Sequence, residues 1–191
     1  PQLDQQERGF SFRLDGPLDM RMDRRIETTA SDWLNRADEK DIVDVIWRYG
    51  EEKFSRRIAK RIVEEREIKS IETTQQLVDI IQEAVPFYER NKHPAVRTFQ
   101  AIRIHVNEEI LVLEKFFETV LDVLKVGGRL AVLGFHSLEH KAITRFIRLH
   151  RPGNESASDR FNNGTPKIPR LKRIIRHAVP SSQEVRQNPR A

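Results

Sequence analysis

The chain of 191 residues reads as α/β, an open sheet interrupted by an all-helical unit. Two observations predict this. Between residues 29 and 86, apolar side chains recur every three or four positions in successive segments, the spacing of amphipathic helices. Residues 124–150 then change pattern. A Gly127-Gly128 turn is followed by a continuous apolar run from Leu130 to Phe135, and helical spacing resumes afterwards. A short apolar run bounded by a turn suits a strand buried on both faces of a parallel sheet. Helix, turn, strand and helix in that order belong to open α/β sheets.

In chain order, residues 1–27 show little periodicity and several turn signals. Thr29 or Ser31 can cap a short helix through Trp33 and Leu34. Ile42, Val45, Ile46 and Tyr49 share one helical face, and Gly50 is the expected stop. Phe54, Ile58 and Ile62 form the next stripe, with Lys53, Arg56, Arg57, Lys60 and Arg61 around it. Leu77, Ile80, Ile81 and Val85 form a third, ended by Pro86. A long helical pattern runs through Phe99, Ile102, Val106, Ile110, Leu113 and Phe117 to about Leu124, with room for a break. After the expected strand, Leu138, Ala142, Phe146 and Leu149 line a further helix. Residues 151–166 read as a polar loop, and the basic stretch 167–177 leads into a second candidate strand.

Composition limits the functional classes. The chain has no cysteine, so disulfides and thiolate metal sites are excluded. Its six histidines are scattered without metal-ligand spacing, and no metal is expected. No apolar run approaches the roughly 20 residues of a membrane span, no signal peptide is visible, and a cytoplasmic protein is the default expectation. The net charge of +5 and pI of about 9.7 suit a polyanion partner. The glycines nowhere form a nucleotide-binding fingerprint.

Four stretches carry a more specific signal: "PQLDQQERGFSFRLDGPLDMRMD", "YGEEKFSRRIAKRIV", "HPAVRTFQAIRIHVNEEI" and "GGRLAVLGFHSLE". In content, order and spacing they resemble the MraW/RsmH family, S-adenosylmethionine-dependent methyltransferases that modify cytosine N4 in small-subunit ribosomal RNA. The resemblance covers nearly the whole chain. It implies a Rossmann-like S-adenosylmethionine-dependent methyltransferase with a partial sheet and an all-helical insert. It also implies S-adenosyl-L-methionine as cofactor, and 16S rRNA in the decoding region of the small ribosomal subunit as substrate. No membrane partner is expected, and a homodimer is left open. The family's cofactor-binding half, with its Gly-Gly-His-Ser loop, would precede Pro1, and its last strand would follow Ala191. The chain is therefore expected to be a fragment, inactive alone. Val126 replaces the usual Pro before the Gly-Gly, and Gly134 and His140 replace a common Ser and Asp. The expected division is 1–28 as active-site loop and hinge, 29–92 as the substrate-recognising insert, and 93–191 as the remaining methyltransferase domain.

Methylating cytosine N4 requires a weak nucleophile to be held in line with a methyl group, with acceptors for its hydrogens. The base must also leave its stack. By resemblance, Asp15, Asp19, Arg21 and Asp23 are the candidate catalytic residues, in a loop at the mouth of the site. The same residues read alone would equally make a structural Asp–Arg network bracing a hinge. Gln2 matches a position that contacts the cofactor. Trp33 is placed to stack on the flipped base or to anchor the insert. Arg56, Arg57 and Arg97 are candidates for RNA phosphates, against the plainer reading of solvated faces. His136 follows the expected strand where open sheets place site residues; alternatively it fills a turn while Ser137 caps the next helix. The competing functional reading is a non-catalytic helical RNA-binding module.

Overall fold

The computed structural model describes residues 5–86, 93–150, 171–172 and 181–188. The chain divides into two compact units, Pro1–Val112 and Leu113–Ala191. In the first unit, α1 (Ala30–Arg36), α2 (Glu39–Gly50), α3 (Ser55–Ile68), α4 (Thr74–Ala84) and α5 (Ala95–Val106) enclose one core. α2 packs on α5 and α3, α3 on α4, and α1 on α5 and α3. This unit is larger than the 29–92 insert read from the sequence. The segment from Gln5 to Thr29 lies on it, burying Phe10, Leu18 and Met20, and α5 closes it.

The helices start where their sequences provide caps. Thr29 accepts from the Asp32 amide while the Asp32 carboxylate accepts from the Thr29 amide, and Thr73 and Gln76 do the same at α4. Each pair satisfies two amide donors that the first helical turn leaves open. Pro94 stands just before α5, where its missing N–H costs nothing. The expected stripes are buried, with Ile42, Val45 and Ile46 on α2, Ile58 and Ile62 on α3, and Leu77, Ile80 and Ile81 on α4.

Gly50 has a different role from the expected one. It is the last residue of α2, and Glu51 takes the left-handed position at φ 50°. Glycine is needed at 50 for close approach: a Cβ there would lie 2.6 Å from the Arg97 carbonyl oxygen and 3.2 Å from the Ala101 Cβ on α5.

The long helical pattern breaks at Asn107–Glu108. Glu108 has φ 49°, and α6 (Glu109–Val123) begins after it. The division between units falls within α6. In the second unit, the later part of α6 and α7 (Ser137–His150) share a small core. Phe117 and Phe146 stack there at 4.3 Å, with Val120 and Leu121 beside them. A short helix, α8 (Ser182–Gln187), carries its own Ser181–Glu184 capping box.

The strand expected over Leu130–Phe135 is not formed, and no strand occurs among the described residues. Gly127, at φ 79°, and Gly128 do make the expected turn, with the Gly128 amide donating to the Lys125 carbonyl. Among the described residues, the run beyond it has no neighbouring strand to complete a ladder. Its side chains alternate: Leu130 and Val132 pack on the α6–α7 core, while Leu133 and Phe135 are 78% and 85% exposed. One face is covered by helices and the other is open, so burial on both faces is not seen. The second candidate strand lies largely outside the described residues.

Gly50→Ala should destabilise the first unit. The gain in helix propensity is about 1 kcal/mol, and overpacking costs about 1–3 kcal/mol. The obstacle is a helix backbone rather than a flexible side chain, so overpacking wins, and thermal unfolding should show Tm lowered by about 5 °C.

Candidate active-site loop

The segment 14–23 has no regular structure, so its backbone groups need individual partners. Thr74 serves one end. Its hydroxyl donates to the Leu14 carbonyl and accepts from the Gly16 amide, while its own amide donates to the Gly16 carbonyl. The Leu18 amide donates to the Glu72 carbonyl, and the Leu18 and Asp19 carbonyls accept from Ser31 and Ala30. Gly9, at φ 67°, lets the preceding turn approach here, since a Cβ would overlap the Pro17 carbonyl.

The tip is held from two sides. The Met20 amide donates to the Arg8 carbonyl, and the Met20 carbonyl accepts from Asn107 Nδ2 at 2.7 Å. The Met22 amide donates to Asn107 Oδ1 at 2.6 Å. The Arg8 guanidinium donates to the Arg21 and Met22 carbonyls at 2.8 and 3.0 Å. Met20 sits at φ 60° with its side chain fully buried. A left-handed backbone costs a non-glycine residue roughly 1–2 kcal/mol, and burying a methionine returns about 1.5–3 kcal/mol. The side chain therefore outweighs the strain.

The structure brings Asp19 and Arg21 together and places Asp15 and Asp23 elsewhere. Arg21 makes a two-pronged ion pair with Asp19, at 2.6 and 3.0 Å, and donates to the Ile26 carbonyl at 2.7 Å. Burial would raise the Asp19 carboxyl, but the hydrogen bonds and charge of Arg21 outweigh it and hold it below the usual range. The Asp19 bond in turn raises the Arg21 guanidinium. Asp15 accepts from the Gln75 amide at 3.1 Å and so helps to cap α4. Asp23 pairs with Arg25 at 2.7 Å on the surface, and the Arg25 hydrogen bonds lower its pKa to about 2.

Trp33 is half-buried against the core and contacts the His105 ring at 4.4 Å, a position that anchors α1 to α5. On α3, Arg66 donates to the Leu34 and Ala37 carbonyls at the end of α1, and Arg61 pairs with Glu83 and Glu65. Arg56 and Arg57 are exposed and form no ion pair among the described residues. Arg97 is half-buried on α5, and Arg103 is taken up by a two-pronged pair with Glu109. His136, rather than Ser137, occupies the cap of α7. Its carbonyl accepts from the His140 amide and its Nδ1 from the Glu139 amide, while the Glu139 carboxylate accepts from the Phe135 and His136 amides. Gln2 lies outside the described residues. Asn107 and Arg8 were not singled out from the sequence, where the apolar spacing of Ile102, Val106 and Ile110 runs past residue 107 without a gap.

This segment, a loop clamped on a helical unit, can be set beside known proteins. The profile of the MraW methylase family matches residues 1–191. A ribosomal RNA small subunit methyltransferase H from Thioalkalivibrio sulfidiphilus is 49% identical over 192 residues, covering 100% of this chain and 61% of that protein. Proteins of the same name from Idiomarina loihiensis and Methylococcus capsulatus are each 47% identical, again over 100% of this chain and over 61% and 63% of their own lengths. The chain belongs to the MraW methylase family, and it spans about 61% of the length of the first of these relatives. No helix among the described residues is long and apolar enough to cross a membrane.

His105 supplies a pH test of the Trp33 contact. Burial lowers its pKa, and the charges of Glu108 and Asp41 offset this only partly. A base whose folded pKa is depressed leaves the unfolded chain binding more protons, so stability is lost as pH falls from about 6.5. The urea midpoint should fall across this range, above the titration of the carboxylates, and His105→Phe should flatten the profile.

Proposed function

We propose that this chain is the substrate-facing portion of an S-adenosylmethionine-dependent methyltransferase acting on the exocyclic N4 of a cytidine in 16S ribosomal RNA. The observation that carries the reading is the family match over the whole chain, supported by relatives whose names specify small-subunit rRNA. The finer chemistry rests on the sequence resemblance. In the complete polypeptide, residues 129–135 are proposed to pair as a strand, helices covering the face that Leu130 and Val132 present.

The described residues do not by themselves make a grip for the methyl donor. Two loop carboxylates that could accept from its ribose hydroxyls are engaged within the chain, Asp15 by Gln75 and Asp19 by Arg21. That grip is assigned to polypeptide outside the described residues, including Gln2. When bound, S-adenosylmethionine supplies an activated methyl group with its own leaving group.

The loop's own contribution is orientation. Asp19 is committed to the half-buried Arg21 and Asp15 to α4, whereas Asp23 pairs only with the exposed Arg25, a partner that substrate can displace. With a pKa of about 2 it is ionised at neutral pH, so it suits the role of hydrogen-bond acceptor better than that of final proton sink. An acceptor at the N4 hydrogens aligns the nitrogen lone pair with the incoming methyl. Arg56 and Arg57 on α3 contribute phosphate contacts.

Small ribosomal subunits lacking the modification, incubated with labelled methyl donor and a full-length polypeptide carrying this segment, should yield N4-methylcytidine after nuclease digestion. Label on another base, or none, would refute the reading. The 191-residue chain alone should transfer nothing. Asp23→Ala in the full-length protein should lower turnover about 100-fold, while Asp15→Ala should remain within a few-fold. Replacing Arg56 and Arg57 together by Ala should reduce the slope of log affinity against log salt by about 1.4, the value for two single-strand phosphate contacts.

A further inference from the structure

We infer that Asn107 is a positioning residue for methyl transfer, acting through the loop tip rather than on substrate. The inference rests on the function proposed above. A single side-chain amide holds the Met20 carbonyl through Nδ2 and the Met22 amide through Oδ1, spanning both sides of Arg21. The same Nδ2 donates to the Arg103 carbonyl at 2.8 Å, tying the loop to the last turn of α5. This amide therefore fixes the chain direction across Met20–Met22, on either side of the arginine that Asp19 holds. Arg8 donates to the Arg21 and Met22 carbonyls and holds neither of the two groups that Asn107 holds.

The helix break accompanies this contact. A continuous helix through residues 106–109 would put the Asn107 carbonyl and side chain in a regular helical register. Instead, the Asn107 amide makes the last helical bond, to the Arg103 carbonyl, and the Glu108 amide closes a tighter turn on the His105 carbonyl, with Glu108 at φ 49°. The two-pronged Arg103–Glu109 pair bridges the interruption and holds its two sides together. Asn107 has helix on both sides, so the mount is firm while the loop has no regular structure of its own. A group reaching substrate from residues 21–23 inherits its position from this amide, and small displacements of reacting groups are costly.

The experiment compares Asn107→Ala and Asn107→Asp with the parent. Asn107→Asp keeps an acceptor for the Met22 amide and loses the donor to the Met20 carbonyl, and it is close enough in size to serve if the alanine variant fails to fold. In full-length protein carrying this segment, both variants should lower kcat, by about 100-fold for alanine and less for aspartate, with KM for the ribosomal subunit within a few-fold. Amide hydrogen exchange should show Met22 deprotected by at least about tenfold in the alanine variant while amides of α2 and α5 keep their protection. Loss of Met22 protection with kcat unchanged would overturn the inference, as would a drop in melting temperature with no change in either. If the parent protein itself transfers no methyl group to rRNA, the proposed function fails and the positioning role fails with it. An active parent with fully active variants refutes the positioning role alone.

Discussion

Everything in the first unit depends on satisfying the backbone of a segment that has no secondary structure. A buried amide or carbonyl without a partner costs about as much as a lost hydrogen bond, and residues 14–23 carry many such groups against an apolar core. Side chains on neighbouring helices supply what a ladder would. Thr74 closes one end, and Asn107 and Arg8 close the other. Asn35 serves the linker before α4 in the same manner, accepting from the Ile71 amide and donating to its carbonyl. Each of these amides presents one donor and one acceptor side by side, as a neighbouring strand would.

The helices earn this role through ordinary packing. α2 and α5 approach closely enough to require glycine at 50, and that contact fixes α5, whose end carries Asn107. Met20 then drops into the core from the loop side. The strained backbone at Met20 is thus bracketed by a buried thioether on one side and two side-chain clamps on the other, which is the circumstance in which strain persists in a folded chain.

Much of the helical unit was legible in the sequence, because amphipathic spacing and capping boxes are local signals. Thr29 with Asp32 and Thr73 with Gln76 mark two starts directly. Gly50 misled for a physical reason: a glycine at a helix end suggests a left-handed turn, whereas here it answers to a second helix forty-seven residues on, at Arg97. The apolar run at 130–135 carries strand composition, yet a strand is defined by its neighbours, and composition cannot provide them. The loop was legible as unusual but not as organised. Asp19 and Arg21 stand two residues apart, a spacing equally suited to binding and to mutual pairing. Asn107 was invisible because its partners lie 85 and 87 positions away.

The open face of residues 130–135 has a consequence of its own. An apolar segment with helices behind it and Leu133 and Phe135 turned to solvent offers an apolar patch for another surface to cover. Lone copies at high concentration are thereby prone to stick to one another through these side chains, and a charged residue in place of Leu133 would act as a gatekeeper against such self-association.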